Sequence, residues 1–363
     1  MTEEQKSSKE VKNTTTAGSQ GTSPVANNIA DATKESKNES EAAEAASEII
    51  TPVFGTDMFI RAGVKGYKTV ADLNAAVAAY SGDKMNLVVL KDFAVNAVID
   101  LNHSGLEVVL DLNGYTLSKS TNVIKVQSNT NLRIKDSSDN HSGSICTSGT
   151  ATNAYPIYIY GSNVELSIEG GTIVNTTNKA PAVNLGGSFN SIKITVSGDH
   201  TLLKGKNAIK SATTSSNLSV DIQGGKLEGY VSNASDGTLS FQSSTNGVTL
   251  KIGRCIIENT YDGASAQAIY AKKSNITISG ATISSKKLIN TVDGDYANTI
   301  SIGECELNCV MGNDPQSYVV GFTEMQEYTE ENNYTIHVGS YIIIRSETSN
   351  TLWPYHYQII SAN

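Results

Sequence analysis

The sequence lacks a long apolar run, a basic surface and any cluster of cysteine or histidine. A membrane-spanning helix needs about 20 consecutive apolar residues, so no such helix is predicted. The four cysteines and five histidines are scattered, which predicts neither a disulfide framework nor a metal site, and no cofactor is expected. A net charge of -9 argues against a nucleic-acid partner, because such partners require basic surfaces.

The first 50 residues contain no aromatic side chain and are rich in Ser, Thr, Asn, Glu, Lys and Ala. Such a composition buries too little apolar surface to fold alone, so residues 1–53 are predicted to be a disordered, low-complexity tether. The first ten residues are polar and charged, and no apolar segment follows them, so a secretory signal is not expected. Two interpretations of the tether stay open: a plain linker, or a segment that folds onto a partner.

A strand-and-bend motif recurs along the rest of the chain. Apolar residues alternate, a small-residue bend follows, and another apolar residue comes next, as in LSIEGGTI at 166–173, VDIQGGKL at 220–227 and ITISGATI at 276–283. Most copies are about 22 to 34 residues apart, which is typical of repeat architectures. The alternation predicts strands, and a single unit buries its apolar side only by stacking on its neighbours.

Each repeat contains more than one strand. A second apolar series precedes the motif, as at 157–159 and 269–271, and a third follows the bend, as at 173–174. Three short strands per repeat resemble the right-handed parallel β-helix superfamily, the pectate-lyase-like fold, over residues 85–345. The resemblance implies an all-β, right-handed parallel β-helix solenoid, but it says little about chemistry, because functional sites are grafted onto folds.

Both ends of the predicted solenoid have candidate caps. Residues 54–84 form the N-terminal one, with an amphipathic helix over about 69–81 that begins at Thr69 as N-cap and ends before Gly82. Residues 346–363 form an aromatic C-terminal cap or tip that holds Trp353, Tyr355 and Tyr357. These aromatic residues are interpreted either as a plug over the core, or as a glycan-stacking tip or trimer contact.

Two sets of residues are predicted to support the stacking. Small side chains three positions after the marker residue of the motif would line a tight inward corner. They are Gly171, Gly225, Cys255, Ala281 and Cys305. Asparagines ahead of the strands would form a ladder, unless they are ordinary turn residues; the candidates are Asn163, Asn217 and Asn275. This spacing puts Cys255 and Cys305 two coils apart, about 9 to 10 Å, which is too far for a disulfide.

No catalytic residue is predicted. A glycosidase needs two carboxyl groups within about 5 to 10 Å, yet no two adjacent coils supply a carboxylate at the outward position of the motif. Asp111 is expected beside Arg133, and Asp221 beside Lys251, as surface ion pairs. The arginines are too few and scattered to favour a polyuronate-binding lyase. An enzyme is therefore disfavoured, although the sequence alone leaves this question open.

The chain also resembles phage head fibres and tailspike shafts, which share this fold. The resemblance implies a structural virion protein, a fibre or decoration protein that forms a homotrimer, attaches through its N-terminal tail to a virion partner, and presents its surface to a host glycan. Two alternatives stay open. One is a polysaccharide lyase or hydrolase of the tailspike type, and the other is an adhesin on a bacterial cell surface.

Overall fold

The computed structural model describes residues 57–61, 65–211, 216–233, 235–242, 248–291, 299–309, 334–338, 341–347, 349–352 and 354–362. The tether predicted over residues 1–53 lies outside these ranges. The described chain is a parallel β-solenoid with one short helix, as the repeats predicted. None of its helices is long and apolar enough to cross a membrane.

Strands follow one another in threes, and each of the three belongs to a different sheet, here called A, B and C. Within the described chain, eight complete coils stack in this way. The coils are β3–β5 (Lys84–Val89, Phe93–Ala94, Ile99–Leu101), β6–β8 (Glu107–Asp111, Thr116–Lys119, Ile124–Gln127), β9–β11 (Asn131–Lys135, Ser144–Thr147, Ile157–Tyr160), β12–β14 (Val164–Ile168, Thr172–Asn175, Val183–Leu185), β15–β17 (Asn190–Val196, Leu202–Gly205, Ile209–Ser211), β18–β20 (Ser216–Ile222, Lys226–Gly229, Leu239–Phe241), β21–β23 (Val248–Ile252, Ile256–Asn259, Gln267–Ala271) and β24–β26 (Ser274–Ile278, Thr282–Ser284, Lys287–Thr291).

The core is a set of apolar columns that run from coil to coil. Leu166 pairs in register with Leu132 on one side and with Ile194 on the other, and all three are buried. The same stacking joins Ile168 to Val196 in the next column. Because every second residue of a strand points inward, each coil adds apolar side chains to these columns, and burial of each contributes about 1.5 to 3 kcal/mol.

The polar segment 136–153 has no strand signal in its sequence, yet β10 lies inside it. Ile145 is the one apolar residue of β10 that points inward. The other buried residue, Thr147, is polar, and its hydroxyl donates a hydrogen bond of 3.0 Å to the Ala154 carbonyl. A single apolar residue is too weak an alternation to mark a strand in sequence.

The bend that leads into sheet A has the same backbone conformation in successive coils. Residues with positive φ at or just before these strands are Gly105, Asn129, Asn163, Ser191, Asn217 and Lys273. Asn tolerates this left-handed conformation better than most residues do. Hydrogen bonds also link Asn side chains between coils, from Asn163 to Asn129 at 2.9 Å and from Asn217 to Asn190 at 3.1 Å. Asn275, by contrast, lies in β24 with its side chain exposed.

The corner between sheets A and B is built from small side chains. Successive coils place there Gly143, Gly171, Thr201, Gly225, Cys255, Ala281 and Cys305. A Cβ added at Gly171, whose φ is +82°, would lie 2.6 Å from the Leu112 Cδ1 atom. Ala281 separates Cys255 from Cys305, and both thiols are free. Burial raises the pKa of each thiol to about 12, so both stay protonated and unreactive.

The N-terminal helix, α1, spans Val70–Ala78. Thr69 is its N-cap: the hydroxyl accepts from the Asp72 N–H at 3.1 Å and donates to the Asp72 carboxylate at 2.7 Å. The helix ends four residues before Gly82, and the Tyr80 hydroxyl then donates to the Lys84 carbonyl just ahead of the rest of β3.

The first coil is covered at two of its strand edges. A hairpin of β1 (Phe59–Arg61) and β2 (Lys65–Tyr67) pairs antiparallel with β3 in sheet A. In sheet C, the Asn74 side chain of α1 donates to the Val98 carbonyl at 2.9 Å and accepts from the Asp100 N–H at 3.0 Å. Unpaired strand edges attract other chains, so this hairpin and the Asn74 amide protect the first coil.

The other end of the described chain closes differently from the prediction. Strands β27 (Thr299–Ile302) and β28 (Cys305–Cys309) continue the parallel sheets, but β29 (Tyr334–Val338), β30 (Tyr341–Glu347) and β31 (Tyr355–Ser361) are antiparallel. Within the predicted solenoid range 85–345, β29 is therefore a hairpin strand and not a further coil strand. β31 covers the edge of β28, and the buried Tyr357 and Ile359 lie opposite Leu307 and Cys305.

Candidate ligand-binding site

The predicted aromatic tip does not form a described binding surface. Tyr357 is only 4% exposed and packs in the core cluster, which agrees with a plug over the core. Trp353 and the side chain of Tyr355 lie outside the described residues. The tip therefore gives no exposed aromatic surface from which a ligand site could be argued.

The outward charges of sheet A pair with each other in a different register from the predicted one. Asp111 lies opposite Lys135 and forms an ion pair with it at 3.0 Å. Arg133 instead pairs with Glu169 at 2.7 Å. The predicted pairing of Asp111 with Arg133 was wrong by two residues along the strand. Leu110 and Leu112 are both buried, so the alternation of buried and exposed residues fits either register.

Asp221 and Lys251 are neighbours in register, as predicted, but the described structure has no ion pair between them. The Asp221 carboxylate accepts a hydrogen bond from Gln223, one residue beyond the end of β18, instead. Lys251 therefore stays an exposed cation on sheet A.

The carboxylates with shifted pKa values favour the ionised form. Burial works to raise the pKa of Asp111, but hydrogen bonds from Ser137, Lys135 and Asn113 outweigh it and lower that pKa. Lys204 and Lys226 likewise outweigh burial and lower the pKa of Glu228. A general acid needs the opposite shift, so neither carboxylate is suited to that role. The part of the chain that the structure describes has no group of three or more ligands placed to hold a metal ion.

A groove of about 310 Å³ lies on the outer face of sheet C. Its floor is a row of three outward residues in adjacent coils: Tyr158 on β11, Asn184 on β14 and Lys210 on β17. Adjacent strands are about 4.8 Å apart, so these three side chains can contact one ligand together.

Aromatic rings form one side of this groove. The ring centroids of Tyr155 and Tyr158 are 5.2 Å apart, and those of Tyr158 and Tyr160 are 5.5 Å apart. Tyr160 is 49% exposed, and the Lys125 ammonium lies 4.7 Å from its ring centroid. Burial, together with the neighbouring tyrosine, raises the pKa values of Tyr155 and Tyr158. Both hydroxyls therefore stay protonated at neutral pH and can donate hydrogen bonds.

Tyr158 is held against the backbone of the next coil. A Cβ added at Gly186 would lie 2.5 Å from the Tyr158 ring, so only glycine leaves room for the ring there. The backbone N–H of Tyr155 donates to the Asn122 side chain at 2.9 Å, which fixes the backbone that carries the other ring. The aromatic side of the groove is therefore fixed before any ligand arrives.

Lysines form the opposite side. Lys179, Lys206 and Lys210 line the groove, and Asp236 lies behind two of them. The Asp236 carboxylate is 2.7 Å from the Lys210 ammonium and 3.6 Å from that of Lys206, and it is 3% exposed. Lys179 is exposed and has no ion-pair partner among the described residues.

A buried asparagine joins the two sides. Asn175 is fully buried, and its amide donates to the Ala154 carbonyl at 3.0 Å, next to Tyr155. Its carbonyl oxygen accepts from the Lys179 N–H at 3.1 Å. This side chain therefore fixes the bend that carries Lys179 relative to the segment that carries the aromatic rings.

The Asn184 side chain opens onto the groove without a hydrogen-bond partner among the described residues. The residue is 7% exposed and lines the groove. The amide is therefore available to a ligand that enters the groove.

The sequence contained a signal for this site that was not used. In the segment 155–160, Tyr155, Tyr158 and Tyr160 flank buried isoleucines, and this pattern puts two aromatic residues on the outer face of a strand. Outward aromatic residues are uncommon on a solvated strand and would have marked this face. No local sequence pattern marks the lysines or Asn184, because the coil register decides which residues become their spatial neighbours.

Comparison of the chain with protein-family models, with curated proteins and with solved structures found no match. The function must therefore be argued from the geometry of the groove and from the fold.

Proposed function

We propose that this chain is a non-enzymatic binding protein that holds a saccharide in the sheet C groove. The observation that carries the proposal is the pair of partly exposed rings, Tyr155 and Tyr158, beside the Asn184 amide, which has no partner among the described residues. Sugars present apolar faces that stack on aromatic rings and hydroxyl groups that pair with amides. Preformed pockets with a few polar groups are the usual form of small-ligand sites.

The biological setting of this proposal is a phage particle. The chain would serve as a β-helical fibre or decoration protein of the virion, as a homotrimer whose N-terminal tail attaches it to the particle and whose coils meet a host glycan. Support comes from the resemblance of the repeats to fibres of this kind. A saccharide groove would serve a bacterial cell-surface adhesin equally well.

A glycan array probed with the full-length protein tests the binding function. We expect Tyr158→Ala to weaken binding about tenfold or more, because loss of one well-packed aromatic contact commonly costs over 1 kcal/mol. Tyr261→Ala is the matched control, since Tyr261 packs on Tyr230 and is not among the residues that line the groove. Binding of no glycan at all, or equal loss in both variants, would contradict the proposal.

Two further measurements separate the alternatives. Incubation of each bound glycan with the protein, followed by mass spectrometry, should show no shortened product. Release of products would support the lyase or hydrolase instead. Light scattering of the full-length protein should give the mass of a trimer, and a monomer would count against the fibre.

A further inference from the structure

We infer that the saccharide bound in the sheet C groove carries an acidic group, a carboxylate or a sulfate, which is held by Lys179 and Lys210 beside Asn184. This inference rests on the proposed function, because it specifies the ligand of the same groove.

The first argument is the charge of the lining. Three lysines line the groove, and among the described residues no carboxylate does. Asp236, which lies behind the lining, offsets one of these positive charges through Lys210 and Lys206. Two positive charges therefore remain, although the whole protein has a net charge of -9. A cationic groove on an acidic protein attracts anions selectively.

The second argument is the position of the charges relative to the rings. Asn184 lies between Tyr158 and Lys210 in the strand register, so a sugar ring over Tyr158 brings its substituents above Asn184 and towards Lys210. The Asn184 amide can donate to an oxygen of that sugar. Lys179 approaches from the bend fixed by Asn175 and supplies a charge that no described side chain neutralises.

Glycans presented in matched pairs test the inference. Binding of each acidic glycan is compared with binding of its carboxyl-reduced or desulfated counterpart. An oligothymidylate serves as a polyanion that is not a glycan. We expect the full-length protein to bind the acidic member about tenfold more tightly, since hydrogen bonds to charged groups are about twice as strong as neutral ones. Added salt should weaken that binding. Comparison of the carboxylated pairs with the sulfated pairs identifies which acidic group is bound.

Variants connect the preference to the groove. Lys179→Gln should remove most of the difference between the paired glycans, while Lys179→Arg should retain it. The matched control is Lys251→Gln, which removes an unpaired lysine from the outer face of sheet A and should change nothing.

The outcomes are distinguishable. Equal binding of the acidic and neutral members, with no effect of Lys179→Gln, overturns the inference and leaves the proposed function in place. Preference for the oligothymidylate over every glycan overturns the inference and the proposed function together. Failure to bind any glycan on the array does the same.

Discussion

The outer faces of sheets A and C differ in how their polar groups are used. On sheet A, Glu107, Glu165 and Glu169 each pair with a basic residue of an adjacent coil. On sheet C, the row of Tyr158, Asn184 and Lys210 includes an amide without a described partner. The same coil geometry thus produces one face with several ion pairs between coils and one face with an amide that is available to a ligand.

The difference arises from burial. Exposed pairs such as Lys193–Glu165 have side chains that are 58% and 47% exposed, so water solvates them well and each pair contributes little. The groove on sheet C holds Asn184 and Lys210 in less exposed positions, at 7% and 17%. A ligand that satisfies them gains more than it would on sheet A.

The largest effect should come from Asp236. Asp236→Ala leaves Lys210 and Lys206 without their buried counter-ion and removes the acceptor of Asn207, so we expect a loss of about 3 kcal/mol in the free energy of unfolding. Urea unfolding monitored by circular dichroism measures it. A loss below about 1 kcal/mol would show that this face is no more dependent on its charges than sheet A.

An intermediate effect is expected at Asp111, the most buried acidic residue on the outer face of sheet A. Its pKa is lowered below the ordinary value of 3.8 in the folded protein. The ionised carboxylate therefore contributes fully to the free energy of unfolding above that pH, and this contribution is lost on further acidification. The urea concentration at the wild-type unfolding midpoint should therefore decrease as the pH is lowered from about 5 to below 3.8. Asp111→Asn should be less stable at neutral pH and show a shallower fall; identical pH profiles would contradict this.

The smallest effect is expected at Glu165. Glu165→Gln removes an exposed ion pair with Lys193, and the free energy of unfolding should change by less than about 0.5 kcal/mol. The same urea titration, run in low and in high salt, measures it. A change above about 1 kcal/mol would mean that the ion pairs of sheet A hold the coils together.

Sheet A was the most predictable part of the molecule. Its strands are long enough for alternation to identify them, and glycine bends mark their ends, so the coils and the small-residue corner at Gly171 and Gly225 followed from sequence. Register was less certain, since the two inward leucines at 110 and 112 fit the pattern in either of two positions.

The groove was not predictable in the same way. Its floor comes from strands of three or four residues in sheet C, and such short strands carry little periodic signal. Tyr158, Asn184 and Lys210 are far apart in sequence and become neighbours only once the coil length is known. The unpartnered state of Asn184 is a property of its surroundings, which no local pattern encodes.

The Asn74 amide has a consequence for how the protein assembles. It offers one donor and one acceptor to β5, which is what a single residue of a preceding coil would offer. It therefore occupies the position that a strand of a second molecule would need in order to continue sheet C. Loss of this one side chain would leave that edge open to such a strand, so protection of the edge depends on a residue that belongs to no coil.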